Sequence, residues 1–188
     1  MIRLLLVVIV ALFPVSEIAL AFVKRSSART AQNEDRGSLP LLWLSIALGV
    51  GLAIAAQWIP SARFPGSQDM IRILALVLFL GGLVLRWAAI LTLGRLFTVD
   101  VAIHSDHTVV QTGLYRFIRH PSYTGLLVAF LGLGVFFANW LSMLGLLLPV
   151  TLAVINRVAK EEQALLNSLG SDYAVYCART KRFIPWLL

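Results

Sequence analysis

The chain has 188 residues, 59% of them hydrophobic, and a mean hydropathy of +0.86, far above that of a soluble domain. Its length suits one compact unit of a membrane protein. The net charge of +7 does not indicate nucleic-acid binding, because the cations lie between apolar runs rather than along one soluble face.

Five apolar segments meet or approach the roughly 20 residues that a helix needs to cross a bilayer. They are Ile2–Val23, Leu39–Ile59, Met70–Leu93, Pro121–Ala138 and Trp140–Asn156. The first is too long for the apolar region of a signal peptide, so we interpret it as a retained span. Only Asn139 separates the last two, which predicts a tight helical hairpin. The sequence therefore predicts an all-α integral membrane protein with about five transmembrane helices and a cytosolic C-terminal helical segment.

The cations set the expected orientation in the membrane. Twelve of the 16 Lys and Arg residues lie on one side if the five segments alternate in direction. Because cytoplasmic loops carry an excess of cations, that side is expected to be cytoplasmic. The amino terminus is then outside and the carboxyl terminus inside, and in a bacterium the membrane is the inner one. Two charges, Glu17 and Arg86, lie within spans at a similar depth, which favours a structural ion pair, or an Arg86 side chain that extends to the interface, over a role in substrate binding.

Glycines recur within the predicted spans. They are Gly49, Gly51, Gly81, Gly82, Gly132, Gly134 and Gly145. Small residues let transmembrane helices approach closely, so we interpret these positions as packing positions. The pair Gly132 and Gly134 is not a dinucleotide-binding fingerprint, because no strand precedes it and a third glycine is missing.

Two polar blocks, residues 106–125 and 157–186, flank the predicted hairpin. The two ends of a hairpin lie at the same membrane face, so the blocks are expected to meet and form one site. In the first block, Pro121 suits the first turn of a helix and His120 an extended conformation before it. Such a helix start attracts a carboxylate. An interfacial cap with a cationic anchor explains Arg119 and His120 equally well.

In the second block, Arg157, Glu161 and Glu162 follow the last span on a helix expected to end at Gly170. Adjacent carboxylates at a membrane surface can bind the ammonium group of a ligand. A plain salt bridge between Arg157 and Glu161, four residues apart, is the simpler interpretation of that pair. The aromatic and cationic tail beyond residue 170 also fits an interfacial belt.

Several segments occur in the order and with the spacing of one enzyme family. They are His107-Thr-Val-Val-Gln-Thr-Gly-Leu-Tyr115, Arg119-His-Pro-Ser-Tyr-Thr-Gly125, Arg157-x-x-x-Glu161-Glu162, Gly170-x-x-Tyr173-x-x-Tyr176 and Arg182-Phe-Ile-Pro185. Over residues 70–188 the chain resembles the isoprenylcysteine carboxyl methyltransferase family. An Arg-His-Pro-x-Tyr motif alone is shared with phospholipid methyltransferases and loosely with sterol reductases. We expect one membrane domain, with two variable spans in residues 1–69 and a methyltransferase core in residues 70–188.

The resemblance implies S-adenosylmethionine as the cofactor, held by the last two spans and the C-terminal segment. The cofactor-binding residues that it implies are His107, Tyr115, His120, Pro121, Tyr123, Glu162, Tyr173 and Tyr176. It also implies catalytic roles for Arg157, which would orient the methyl acceptor, and for Glu161. A carboxylate acceptor is already ionised near neutral pH and needs no base. For a phenol, amine or thiol acceptor, Glu161 or His120 would be the base.

The expected partners are membrane lipids and a lipophilic acceptor, foremost the carboxylate of an isoprenylcysteine-like substrate. Phospholipids and other small lipids are alternative acceptors, and an NADPH-dependent enzyme of the sterol-reductase type is an alternative function. A transporter is disfavoured, because Glu17 and Arg86 are the main polar interruptions of the spans. His104 and His107 are too weak a signal for a metal site, so none is expected. The lone Cys177 excludes an intramolecular disulfide and is interpreted as a small filler residue.

Overall fold

The computed structural model describes residues 14–18, 37–97 and 108–185, together with residues 11, 20, 32–33 and 102–103. The helices of nine residues or more in these ranges are α1 (Ser38–Ala56), α2 (Gln68–Leu93), α3 (Pro121–Phe136), α4 (Trp140–Leu169) and α5 (Ser171–Arg179). Two-residue strands, β1 (Gln32–Asn33) and β2 (Ala102–Ile103), pair antiparallel with Gln32 opposite Ile103. Apart from this pair, the described part of the chain confirms the expected all-α class.

Three helices are long and apolar enough to cross a membrane: Ser38–Ala56, Gln68–Leu96 and Trp140–Leu169. Large apolar side chains on them, such as Leu44, Val84 and Leu152, are exposed as expected for contact with lipid. α3 has 16 residues and ends two residues before the predicted boundary. At 1.5 Å per residue it is about 24 Å long, shorter than a hydrocarbon core of about 30 Å. Most of the predicted first span lies outside the described residues, so the number of five spans stays a prediction.

Helices α2 and α3 pack backbone against backbone because glycines lie at their contact. A Cβ atom added to Gly82 would lie 2.3 Å from the backbone nitrogen of Ala129, and one added to Gly132 would lie 2.5 Å from that of Phe79. Any side chain at these two positions would separate the helices. The predicted packing role is therefore confirmed there, whereas Gly51 and Gly81 face open space.

Helices α1 and α4 form the second close pair. Leu146 and Val150 of α4 are fully buried beside Leu42 and Ala53 of α1 in the same apolar core. The hydroxyl of Ser142 adds a polar contact, donating to the carbonyl of Ala53 at 2.8 Å. Close packing and buried hydrogen bonds hold this pair, as is usual for helices in lipid.

The predicted hairpin of the last two spans is confirmed. Ala138 turns the chain with a φ of 49°, and the Asn139 side chain caps α4 by accepting from the N–H of Ser142 at 3.1 Å. The Asn139 amide also donates to the carbonyl of Ile59, and the N–H of Phe64 donates to the carbonyl of Ala138. The loop between α1 and α2 therefore lies at the same end of the bundle as this turn.

Of the two structural roles predicted for Arg86, the structure shows the ion pair with Glu17. Two hydrogen bonds of 2.6 Å join the Arg86 guanidinium to the Glu17 carboxylate, with both side chains largely buried. A third bond runs from Arg86 to the carbonyl of Ser122 in the first turn of α3, at 3.3 Å. The helical segment at residues 14–18 is thereby linked to α2 and, through Arg86, to the start of α3.

At the other end of the bundle, α4 continues to Leu169, where Gly170 ends it with a φ of 53°, as predicted. The chain then forms α5 and returns to α3. Ile118 and Lys181 form an isolated parallel bridge, and the N–H groups of Arg119 and His120 donate to the carbonyls of Lys181 and Arg182. The two polar blocks therefore meet, as the sequence predicts.

Candidate functional site

The site is built around the start of α3. Pro121 is its first residue, and the buried His120 precedes it in a non-helical conformation with φ −124° and ψ 54°. Proline suits this position because its nitrogen carries no hydrogen to satisfy. The next turn is joined to the C-terminal segment through Thr124, whose hydroxyl donates to the carbonyl of Phe183 at 2.9 Å. His120 is thus held at the junction of α3 with the tail.

Glu162 lies at the centre of a cluster of cations. Its carboxylate accepts a hydrogen bond of 2.9 Å from Arg119, one of 2.9 Å from Nε of Arg182, and lies 3.2 Å from Nε2 of His120. The Glu162 side chain is only 9% exposed, so these groups take the place of water around its carboxylate. Hydrogen bonding to Glu162 also raises the pKa of the Arg182 guanidinium. Both carboxylate oxygens are engaged by protein groups.

Glu161 is held differently from its neighbour. The hydroxyl of Tyr123 donates to its Oε2 at 3.0 Å, and Nδ1 of His120 lies 3.9 Å from its Oε1. Its side chain is 30% exposed. Nε of the buried Arg157 donates to the Tyr123 hydroxyl at 2.8 Å, so Tyr123 joins Arg157 to Glu161. Of the two adjacent carboxylates, Glu161 is the more accessible to a ligand.

Tyr115, Tyr173 and Tyr176 lie buried behind this network. The rings of Tyr173 and Tyr176 are 5.9 Å apart, and the hydroxyl of Tyr176 donates to the carbonyl of Tyr115 at 2.7 Å. Burial raises the pKa of Tyr176 to about 12 and raises the pKa values of Tyr115 and Tyr173 as well. All three phenols stay protonated near neutral pH, so none of them is suited to act as a base there.

Three residues of this arrangement are absent from the sequence-predicted set. Arg119 and Arg182 lie within the quoted motifs, but the sequence does not distinguish an interfacial anchor from a partner of Glu162. Arg119 also donates to the backbone carbonyls of Cys177 and Thr180, tying the tail to the site. Ser38 accepts a hydrogen bond from Arg157 at 2.8 Å. Its only sequence signal is a serine at the start of an apolar run.

One predicted cofactor residue, His107, lies outside the described residues, as does His104. Among the residues that are described, no group of three or more His, Cys, Asp and Glu side chains could hold a metal ion. The remaining predicted residues form one connected region. It has an accessible carboxylate, a braced carboxylate, a histidine and a buried arginine, and is enclosed by aromatic rings. Such a set can bind a zwitterionic ligand and orient a second, anionic one.

Comparison with known proteins identifies relatives of this chain. The family model described as isoprenylcysteine carboxyl methyltransferase matches residues 74–167, half of the chain, and contains the start of α3 and both glutamates. A Xenopus laevis protein named protein-S-isoprenylcysteine O-methyltransferase is 29% identical over 84% of this chain and 58% of its own length. An Arabidopsis thaliana protein named protein-S-isoprenylcysteine O-methyltransferase A is 29% identical over 93% of this chain and 88% of its own length.

A solved structure shares the fold. It is described as the eukaryotic intramembrane Ras methyltransferase, isoprenylcysteine carboxyl methyltransferase, and has a TM-score of 0.62 and 27% sequence identity. The match covers 79% of this chain and 53% of the solved chain, so this chain spans about half the length of that relative. The sequence-predicted family is thus confirmed by both sequence and fold: the chain belongs to the isoprenylcysteine carboxyl methyltransferase family.

Proposed function

We propose that this chain is an integral membrane methyltransferase that uses S-adenosylmethionine to methylate the carboxylate of an isoprenylcysteine-like acceptor. One observation carries the proposal: His120, Tyr123, Arg157, Glu161 and Glu162 form a single network where α3, α4 and the tail meet. This network lies within the residues that match the family model. The names of the frog and plant relatives support the same reaction.

The chemistry of the site fits the methyl donor. S-adenosylmethionine carries an ammonium, a carboxylate, a sulfonium and a flat adenine ring. Glu161, the accessible carboxylate, would accept from the ammonium, and the helix start at His120 and Pro121 would face the carboxylate. The buried Tyr173 and Tyr176 would line the adenine. Glu162 is a predicted cofactor residue, and its contacts with Arg119, His120 and Arg182 suit it to shape the pocket around the ligand.

The catalytic work of the chain is positional. The donor, when bound, supplies an electrophilic methyl group on a sulfonium. Holding two reactants in near-attack geometry can contribute about 7–11 kcal/mol to lowering the barrier. Arg157 would orient the acceptor carboxylate by a bidentate contact, while its Nε stays on Tyr123. A carboxylate is ionised near neutral pH, so Glu161 and His120 need not remove a proton.

The proposed orientation places this site at the cytoplasmic face. The described end of the bundle that carries the site also carries Arg116, Arg119, Arg179, Lys181 and Arg182. An excess of cations marks the cytoplasmic side, so the amino terminus would be outside and the carboxyl terminus inside. A water-soluble donor would enter from the cytoplasm, and a lipophilic acceptor would arrive from the bilayer. Residues 70–188 would form the methyltransferase core, with residues 1–69 as the variable part.

The experiment is a labelled methyl-transfer assay with purified protein and N-acetyl-S-farnesylcysteine, alongside host membranes with identification of the labelled lipid. Calorimetric titration with S-adenosylhomocysteine reports donor-site binding separately. We expect Arg157→Ala to lower transfer at least 100-fold and to leave the affinity for S-adenosylhomocysteine within about threefold. Folded protein that does not bind S-adenosylhomocysteine would refute the proposal, and equal losses of transfer and binding would assign Arg157 to the donor pocket.

A further inference from the structure

One hydrogen bond joins the site to a residue outside the segment that matches the family model. Nη1 of Arg157 donates to the hydroxyl of Ser38 at 2.8 Å, although the two residues are 119 positions apart. Ser38 is fully buried and Arg157 is 3% exposed. Ser38 is the first residue of α1, held at the buried face after Gly37, whose φ of 97° turns the chain into the helix. The hydroxyl is therefore placed by the backbone of α1.

The two ends of the Arg157 guanidinium are anchored to different helices. Its Nε donates to Tyr123 of α3 at 2.8 Å, and its Nη1 donates to Ser38 of α1. Hydrogen bonds from an ionised donor are short and directional, so two such anchors restrict the plane of the guanidinium. Removing the Ser38 hydroxyl would leave the Tyr123 contact in place and take away one hydrogen bond that orients the Nη side of the guanidinium. A bidentate contact with the acceptor carboxylate would use the Nη atoms.

The apolar packing of α1 on α4 does not involve this hydroxyl. Leu42, Gly49 and Ala53 make the apolar contact with α4, and Gly49 approaches the backbone of Leu146 closely. At the far end of the same helix pair, Ser142 makes its own hydrogen bond to the carbonyl of Ala53. Substitutions at Ser38 and Ser142 thus remove similar buried bonds from one interface, but only Ser38 touches the site.

We infer that Ser38 is a positioning residue of the site, which sets the orientation of Arg157 toward the acceptor carboxylate. The inference rests on the proposed function and extends it, because Ser38 precedes the matched residues 74–167. The amino-terminal part of the chain thereby completes the acceptor side of the site. The donor side is held by α3, α4 and the tail without it.

The test compares Ser38→Ala, Ser38→Thr and the matched control Ser142→Ala. For each we would measure kcat/KM for N-acetyl-S-farnesylcysteine, the Kd for S-adenosylhomocysteine and the Tm. Ser38→Ala is expected to lower kcat/KM about tenfold while the Kd changes less than about twofold. Ser38→Thr, which retains a hydroxyl, should recover to within about threefold of wild type. Ser142→Ala should lower the Tm as much as Ser38→Ala does and keep kcat/KM near wild type.

The outcomes distinguish a failure of the inference about Ser38 from a failure of the proposed function. If Ser38→Ala keeps wild-type kcat/KM, or if its kcat/KM and its S-adenosylhomocysteine affinity fall together, Ser38 does not position Arg157 for the acceptor. The same holds if threonine fails to restore activity in a folded protein. A folded wild type that binds no S-adenosylhomocysteine or methylates no acceptor refutes the proposed function, and the inference falls with it.

Discussion

At the scale of single residues, the adjacent glutamates Glu161 and Glu162 have different environments. They point from neighbouring positions of one helix, about 100° apart around its axis, so they reach different partners. Glu162 is 9% exposed between Arg119, His120 and Arg182, whereas the Glu161 side chain is 30% exposed and meets the Tyr123 hydroxyl. One carboxylate thus holds Arg119, His120 and Arg182 together, and the other is accessible enough to exchange a protein contact for a ligand.

The first prediction concerns Glu162→Gln. The amide cannot balance the Arg119 cation, whose side chain is only 10% exposed, and an uncompensated buried charge costs about 3 kcal/mol. The Arg182 side chain is 52% exposed, so its charge stays solvated and adds little to this cost. We therefore expect the free energy of unfolding in detergent to fall by about that amount, measured by thermal or denaturant unfolding. Asp69→Asn is the matched control, because Asp69 is 74% exposed in its pair with Arg72 and should lose less than about 1 kcal/mol. Equal losses in the two variants would show that Glu162 is not a buried brace.

The second prediction concerns Cys177, the one cysteine of the sequence. Burial raises the pKa of its thiol, and this outweighs the lowering effect of the nearby Arg119 charge. Since only the thiolate is alkylated, the reactive fraction near neutral pH should be smaller in folded than in unfolded protein. The rate of alkylation by iodoacetamide, measured against pH, should therefore have a higher midpoint in the folded protein than in protein unfolded in detergent. Coincident midpoints would contradict a raised pKa of the Cys177 thiol in the folded protein.

At the scale of the elements, the contact between α2 and α3 determines where the site can form. Gly82 of α2 lies against Gly125 and Ala129 of α3, and a Cβ at Gly125 would lie 2.5 Å from the backbone nitrogen of Arg86. Arg86 in turn reaches the carbonyl of Ser122 in the first turn of α3. The close approach of α2 and α3 therefore fixes the depth at which α3 begins. The site residues lie at this start.

The third prediction follows from this contact. Gly82→Ala places a methyl group 2.3 Å from a backbone atom, so the helices must separate, and overpacking of this kind costs about 1–3 kcal/mol or more. We expect a lower Tm together with weaker binding of S-adenosylhomocysteine, because α3 carries Tyr123 and begins directly after His120. Gly81→Ala, with nothing within 4 Å of its added Cβ, is the adjacent control and should be neutral or slightly stabilising. A tolerated Gly82→Ala would argue against the backbone contact.

At the scale of the whole molecule, the bundle has two chemically different ends. One end joins the loop between α1 and α2 to the turn at Asn139, with the rings of Phe64 and Trp140 4.4 Å apart. The other end carries the carboxylates, the histidine and the cationic tail. Such asymmetry suits a reaction in which a soluble donor and a lipid-borne acceptor meet at one membrane face.

The fourth prediction tests the proposed orientation of these ends. In a Cys177→Ser background, Ser67→Cys and Lys181→Cys place single exposed thiols at opposite ends of the bundle. A membrane-impermeant maleimide should label Ser67→Cys in intact cells and should label Lys181→Cys only after permeabilisation. Because cations are retained on the cytoplasmic side, the reverse pattern is not expected, and observing it would invert the topology.

Much of the helical framework could be predicted from the sequence, since apolar length and local signals report directly on local structure. Pro121 correctly marks the start of α3, Asn139 the hairpin turn and Gly170 the end of α4. The boundary of α1 near Ala56 differs by three residues, because Pro60 starts a separate short helical turn. The site was predicted less completely, because an arginine at a membrane edge has the same local pattern whether it anchors the chain or binds a carboxylate.

The sequence by itself determined the membrane class, the start of α3, the hairpin turn at Asn139, the end of α4 and the family, because each depends on composition, spacing or motif. Only the tertiary structure decided which of Glu161 and Glu162 is braced, that Arg119 and Arg182 brace it, and that Ser38 holds Arg157. These contacts join residues up to 119 positions apart. They depend on the rotation and depth of packed helices, and a few ångströms there decide whether a buried charge finds a partner.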